Sequence, residues 1–163
     1  MTERTSFMKA LHSEGPADDR ASHLQLYGWL IGDWVMDATV HREDGTTIKR
    51  AGEIHFGWVL QGRAIQDVWI LPGVFHGTTL RIYDPGLGAW HIFWSDPLRQ
   101  FYTRQLGRAQ GNDIVQIGKN DGGVMLRWSF TEITPNSFRW LGESSVDDGK
   151  NWQLQADFRA RRA

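Results

Sequence analysis

From Asp33 onward, apolar and polar residues exchange places with a period of two, in short runs broken by turn residues. Such alternation predicts half-buried β-strands, because successive side chains of an extended chain point to opposite faces. The runs place strands at 33–42, 47–60, 63–71, 76–83, 89–95, 101–108, 112–118, 123–132, 137–146 and 151–161. Between them stand "REDG", "QG", "PGVF", "DPGLG", "SDPLRQ", "AQGN", "NDGG", "TPN" and "VDDGK". Most of these carry Gly, Pro, Asn or Asp, which make tight turns. The connections are too short for parallel crossovers, so consecutive strands run antiparallel as an up-and-down meander. Twist accumulates over ten such strands, and closure removes both exposed edges. The pattern therefore predicts an all-β, antiparallel meander barrel of about ten strands, preceded by a short helix. Barrels of this size have room inside for side chains or one small ligand.

Ahead of the strands, residues 1–17 are polar and patternless and read as a flexible tail; residues 18–163 form the single barrel domain. A helix is expected over 19–30, capped by Asp18 or Asp19 and ended by Gly32, with Leu24, Tyr27 and Ile31 on one face. Nine tryptophans and eighteen glycines in 163 residues fit short aromatic-rich strands with glycine at bends.

The formal net charge of −1 gives no basic surplus for nucleic acid or an anionic membrane. With no cysteine, thiolate chemistry, disulfides and Cys-ligated metals are excluded. No apolar run long enough for a secretory signal or a transmembrane helix is present, so a cytoplasmic protein is expected. The six histidines, at 12, 23, 41, 55, 76 and 91, lack metal-binding spacing, and no phosphate- or dinucleotide-binding glycine loop or nucleophile elbow occurs. Neither metal nor cofactor is expected. Nothing here bars a homodimer.

One hairpin stands out. In "IHFGWVLQGRAIQDVWI" a two-residue turn at Gln61-Gly62 pairs Leu60 with Arg63, Trp58 with Ile65, Phe56 with Asp67 and Ile54 with Trp69. The aromatic-rich face then holds Phe56, Trp58, Arg63, Asp67 and Trp69, and is assigned to the lumen. Arg63 and Asp67 are four residues apart on one strand, roughly 13 Å between Cα atoms, too far for a close pair through extended backbone. Burying either charge unpaired costs several kcal/mol. Either Arg63 receives an anionic ligand group while Asp67 accepts a hydrogen bond or proton, or the charges belong to a structural network with Arg81, Arg104 or Arg127.

In "AWHIFWSDP", Trp90, Ile92 and Trp94 alternate with His91, Phe93 and Ser95. Inward tryptophans would extend an aromatic wall; an inward His91 would be a general base near neutral pH. "YTRQLGR" and "MLRWSF" offer Arg104 and Arg127 as further lumen candidates, and "FRW" adds Trp140 to the wall.

Residues 24–34, "LQLYGWLIGDW", resemble the opening of calycin-superfamily domains, with Gly-x-Trp (Gly32-Asp33-Trp34) at the start of the first strand. More closely, the chain resembles bacterial lipocalin-like domains of that superfamily over 24–162, a group that includes nitrobindin- and fatty-acid-binding-protein-like barrels. The resemblance implies that Trp34 closes one barrel end against an arginine of the last strand, Arg159 or Arg161 in "DFRARR". The nitrobindin branch holds heme through a late histidine, and this chain has none after His91. The fold implies binding of a small, largely hydrophobic or aromatic molecule by Phe56, Trp58, Arg63, Asp67, Trp69, Trp94, Arg104, Arg127 and Trp140. The alternative is a cofactor-independent isomerase, cyclase or hydratase in the same cavity, with Asp67 or His91 as base.

Overall fold

A computed structural model describes residues 4–163. Its centre is a closed, ten-stranded antiparallel meander barrel. The strands are β2 (Gly32–His41), β3 (Thr47–Val59), β4 (Ala64–Leu71), β5 (Phe75–Asp84), β6 (Ala89–Asp96), β7 (Phe101–Gln110), β8 (Asp113–Lys119), β9 (Met125–Thr134), β10 (Ser137–Ser145) and β11 (Gln153–Arg162). Each pairs with the next, and β11 pairs with β2 to close the ring. No strand of the barrel keeps an unpaired edge, which is why so long a meander stays a single sheet.

The N-terminal segment departs from the expected loose tail. Residues 7–13 carry α1 (Phe7–Leu11) and β1 (His12–Ser13), and β1 pairs with β3 through His12↔Val59 and Ser13↔Trp58. Only residues 1–3 of that expected tail lie outside the described residues. The segment continues as a strap over the β3–β4 turn: Ala17 N–H donates to Gly62 O at 2.9 Å, and Leu60 N–H to Leu11 O at 2.9 Å. Gly62 is required there. Its φ is +75°, and a Cβ would strike backbone of Gly15, Pro16 and Ala17.

Next come one turn of 3-10 helix (Asp18–Arg20) and α2 (Ala21–Gly28), shorter than the predicted 19–30. Leu24, Tyr27 and Leu30 are fully buried and plug one end of the barrel. At this end lie the turns β3–β4, β5–β6, β7–β8 and β9–β10; the remaining turns surround the opposite, open end.

Closure follows the expected plan with a different arginine. Trp34 is buried, and its indole Nε1 donates to Leu30 O at 2.7 Å. The cation over its ring is Arg162, 4.2 Å from the centroid. Arg162 also donates from Nη1 to Ile31 O (2.7 Å) and from Nη2 to Trp29 O (2.5 Å). Register decides this. Arg162 lies opposite Trp34 on the inward parity of β11, shared with Phe158 and Ala160. Arg159 and Arg161 have the outward parity, and each meets a surface carboxylate, Glu132 and Asp37 respectively. The same contact explains the glycine of Gly-x-Trp. Gly32 has φ +123°, and a Cβ would come within 2.9 Å of Arg162 Nη1.

Arg162→Ala strips cation, ring contact and three carbonyl partners at once, and is expected to cost about 2–4 kcal/mol. Arg161→Ala breaks an exposed pair and costs under about 1 kcal/mol. Urea unfolding of the two variants side by side checks the contrast.

Candidate functional site

A cavity of about 360 Å³ opens at the end opposite α2. The inward parity of the strands builds it. On β6, Trp90, Ile92 and Trp94 face in, on β9 Leu126, Trp128 and Phe130, and on β10 Phe138 and Trp140. Five of the lining side chains form a closed circuit of ring contacts around the lumen. Phe75 meets Trp94 (6.1 Å between centroids), Trp94 meets Trp128 (6.1 Å), Trp128 meets Trp140 (5.4 Å), Trp140 meets Phe158 (5.0 Å) and Phe158 meets Phe75 (5.9 Å). Trp69 lies across the lumen beneath this collar. It touches Trp140 and Phe158 on one side, and Phe56 and Phe130 on the other.

Below the collar sits a buried charge. Arg81 and Asp67 are each 1% exposed and form an ion pair through Arg81 Nη1 and Asp67 Oδ2. Asp67 Oδ1 accepts the Thr79 backbone N–H at 2.7 Å, so both carboxylate oxygens are occupied. Arg81 Nε donates to Gln116 Oε1 at 3.3 Å, which also accepts the Tyr27 hydroxyl at 2.9 Å. Three rings surround the guanidinium: Tyr27 at 5.2 Å, and Phe56 and Phe130 at 5.7 Å each. Burial pushes the Tyr27 phenol well above its ordinary range, although the nearby Arg81 charge pulls the other way. Tyr27 therefore stays a neutral donor.

Where Arg81, Thr79 and Trp69 border the cavity, they supply donors. Arg81 borders the cavity, and the buried Trp69 Nε1 has no hydrogen-bond partner among the described residues. None of the lining residues is Asp or Glu. At the mouth a second guanidinium, Arg99, lies over Phe75 at 5.3 Å and is tethered to the fully buried Asp96 at 2.7 Å.

The structure sorts the sequence candidates. Trp69, Trp94 and Trp140 line the cavity. Phe56 and Trp58 are inward and buried, but outside that lining: Phe56 flanks Arg81, and Trp58 packs against α2 at Gly28. Arg63 is not in the lumen. The register is as expected, Trp58↔Ile65, Phe56↔Asp67 and Ile54↔Trp69, but the strands end at Val59 and Ala64. Residues 60–63 make a longer turn, with Leu60 and Gln61 in left-handed backbone, and this swings Arg63 out to Gln61 and to Asp19 of the strap.

His91, Arg104 and Arg127 also lie outside, because each has the parity opposite to an inward tryptophan or threonine. His91 Nε2 meets Asp84 Oδ2 at 2.8 Å, and its Nδ1 meets Arg104 Nη2 at 3.2 Å. Arg127 pairs with Glu143 at 2.8 and 2.9 Å. His91 is thus remote from the cavity, and Asp67, the other candidate base, is held by Arg81 and Thr79. Sequence reasoning missed Phe75, Trp128, Phe158, Thr79 and Arg99 as lining residues. Parity counted from Trp69 and Trp94 across the hairpins would have found all but Arg99, which sits in a turn. Among the described residues, no cluster of His, Asp or Glu is placed to hold a metal ion, and no helix is long and apolar enough to cross a membrane.

No family profile matches the chain, and no curated protein matches it. Solved structures do. The chain is similar to Rv2717c from M. tuberculosis, with 12% identity and a TM-score of 0.60 over 88% of this chain and 98% of that one. It is also similar to the S-type phycobiliprotein lyase CpeS from Guillardia theta, with 11% identity and a TM-score of 0.59 over 91% and 98%. What the chain shares with them is the fold, a closed antiparallel β-barrel. Identities this low carry the architecture and nothing about the site.

Removing one member of the buried pair leaves the other charge without a counter-ion. Arg81→Met is expected to lower stability by about 3–5 kcal/mol. The neutral pair Asp67→Asn with Arg81→Gln keeps hydrogen bonding without charge and recovers most of that loss. Chemical denaturation of the single and double variants measures both.

Proposed function

We propose that the lumen binds a small, largely apolar aromatic molecule whose acceptor or anionic end meets Arg81. The observation that carries this reading is the pairing of a closed aromatic collar with a floor that presents donors and no carboxylate. Ligand pockets in barrels have this composition: mostly apolar walls with a few placed polar groups that fix orientation. Rings offer contact area and edge or face interactions to a second ring. The Arg81 guanidinium borders the cavity while Nη1 and Nε hold it in place. It is therefore pre-organised, and a ligand need not order it. Both guanidinium groups of the lining are already paired with buried carboxylates that are not themselves part of the lining, so the cavity accepts either an anion or a neutral carbonyl without leaving a bare charge when empty.

Two probes test the reading. 2-Naphthoate is expected to change tryptophan fluorescence saturably, and to bind at least about tenfold more tightly than neutral 2-methylnaphthalene, a difference of about 1.4 kcal/mol. In the Asp67→Asn/Arg81→Gln protein the two probes bind alike. Absence of saturable binding by either probe to the native protein would show the reading to be wrong.

A further inference from the structure

Two of the collar tryptophans lie directly on glycines. A Cβ at Gly77 would sit 2.5 Å from Cη2 and 2.6 Å from Cζ2 of Trp94. A Cβ at Gly142 would sit 2.9 Å from both Cη2 and Cζ3 of Trp140. Real Cβ atoms do not approach ring carbons so closely, so each indole rests in space that only glycine leaves free. Both φ values lie outside the left-handed region, so backbone conformation does not demand glycine at either position. At Gly142 the close approach of the ring is the reason that remains; at Gly77 the ring shares it with the Ser95 carbonyl oxygen at 2.8 Å.

The barrel's topology puts these two contacts face to face. Gly77 is on β5 and Gly142 on β10, five strands apart in either direction around a ring of ten. Gly77 follows Phe75 at the open end of β5, and Gly142 lies on the open-end side of Trp140 along β10. The outer edge of each indole thus reaches over a glycine on its mouth side. The two rings contact Trp128 between them but not each other.

We infer that Gly77 and Gly142 determine specificity: they hold two indoles flat on opposite walls, and so shape the lumen into a slot for one flat ring system. This inference rests on the reading of the lumen as a binding site, and narrows the ligand class to planar fused or conjugated rings. A globular apolar group of the same carbon count does not fit between the two walls. A methyl group at either glycine tips its indole into the slot and fills the space meant for the ligand. The interior is close-packed, so the ring has nowhere else to go.

The test compares two acids of equal carbon number and equal charge, flat 2-naphthoate and cage-like adamantane-1-carboxylate. Titration calorimetry on the native protein is expected to give at least about tenfold tighter binding of the naphthoate. Gly142→Ala is the variant of choice, because its added methyl meets only side-chain atoms, whereas Gly77→Ala also meets Ser95 O at 2.8 Å. Gly142→Ala is expected to weaken naphthoate binding about tenfold or more, with an unchanged far-ultraviolet circular dichroism spectrum. Equal affinity for the two acids in the native protein overturns the slot while leaving the lumen as a binding site. A folded Gly142→Ala protein that binds naphthoate as the native one does overturns the role of the glycine. If that variant does not fold, the native comparison of the two acids decides. If neither acid binds, the reading of the lumen itself fails, and the slot fails with it.

Discussion

Arg81 holds a guanidinium inside a barrel otherwise walled by tryptophan and phenylalanine, and the arrangement of the interior follows from satisfying it. An unpaired charge at that depth would cost a large share of the stability a domain of this size has. Asp67 neutralises it from the neighbouring strand, the Thr79 backbone holds Asp67, and Gln116 ties the Nε side to Tyr27. Tyr27 belongs to α2, so the charge in the lumen is linked through two hydrogen bonds to the helix that plugs the barrel. The polar residues gather on β4, β5, β7 and β8, where Asp67, Thr79, Arg81, Thr103, Gln105 and Gln116 all face inward. The facing half, β9 to β11 with β2 and β3, carries aromatic and aliphatic side chains almost alone. The interior thus has two chemically distinct halves, and of these polar residues Thr79 and Arg81 border the cavity.

Much of the architecture could be read from the chain, because the period of two is a local property. The ten strand positions and the hairpin register around Gln61-Gly62 depend on alternation and turn residues, both visible in one dimension. The site was less legible. Trp69, Trp94 and Trp140 reach the cavity because a large aromatic ring among alternating apolar residues has few other places to go. The arginines do not obey that logic. A long side chain beside a tryptophan can belong to either face, and alternation assigns a face only where the backbone is extended. Arg63 was lost to the lumen because four residues, not two, make the bend, although the register on either side is the expected one. Arg162 took the role expected of Arg159 or Arg161 because one residue of register separates a ring contact from a surface ion pair. Arg81 entered the sequence reading only as one of three structural partners, since nothing local separates a buried arginine from one that lies along the wall.

The glycines show how a residue with no side chain shapes an interior. Gly32, Gly77 and Gly142 lie under a large or charged neighbour, and the absent methyl decides where that neighbour rests. For Gly32 the neighbour is Arg162 and the result is a sealed seam. For Gly77 and Gly142 the neighbours are indoles and the result is open space. The same device serves closure at one end of the barrel and access at the other.

The seam between β11 and β2 also bears on how the molecule folds. It joins residues more than a hundred positions apart, Trp34 with Arg162 at its limit. The hairpins can form early from local contacts, but the ring cannot shut until the last strand meets the first. Loop-closure entropy of that size slows folding. Until then, the collar aromatics and the Arg81–Asp67 pair have no enclosed interior to occupy. The β11–β2 seam is thus what turns a curled sheet with exposed tryptophans into a closed barrel, and Arg162 stands at its limit.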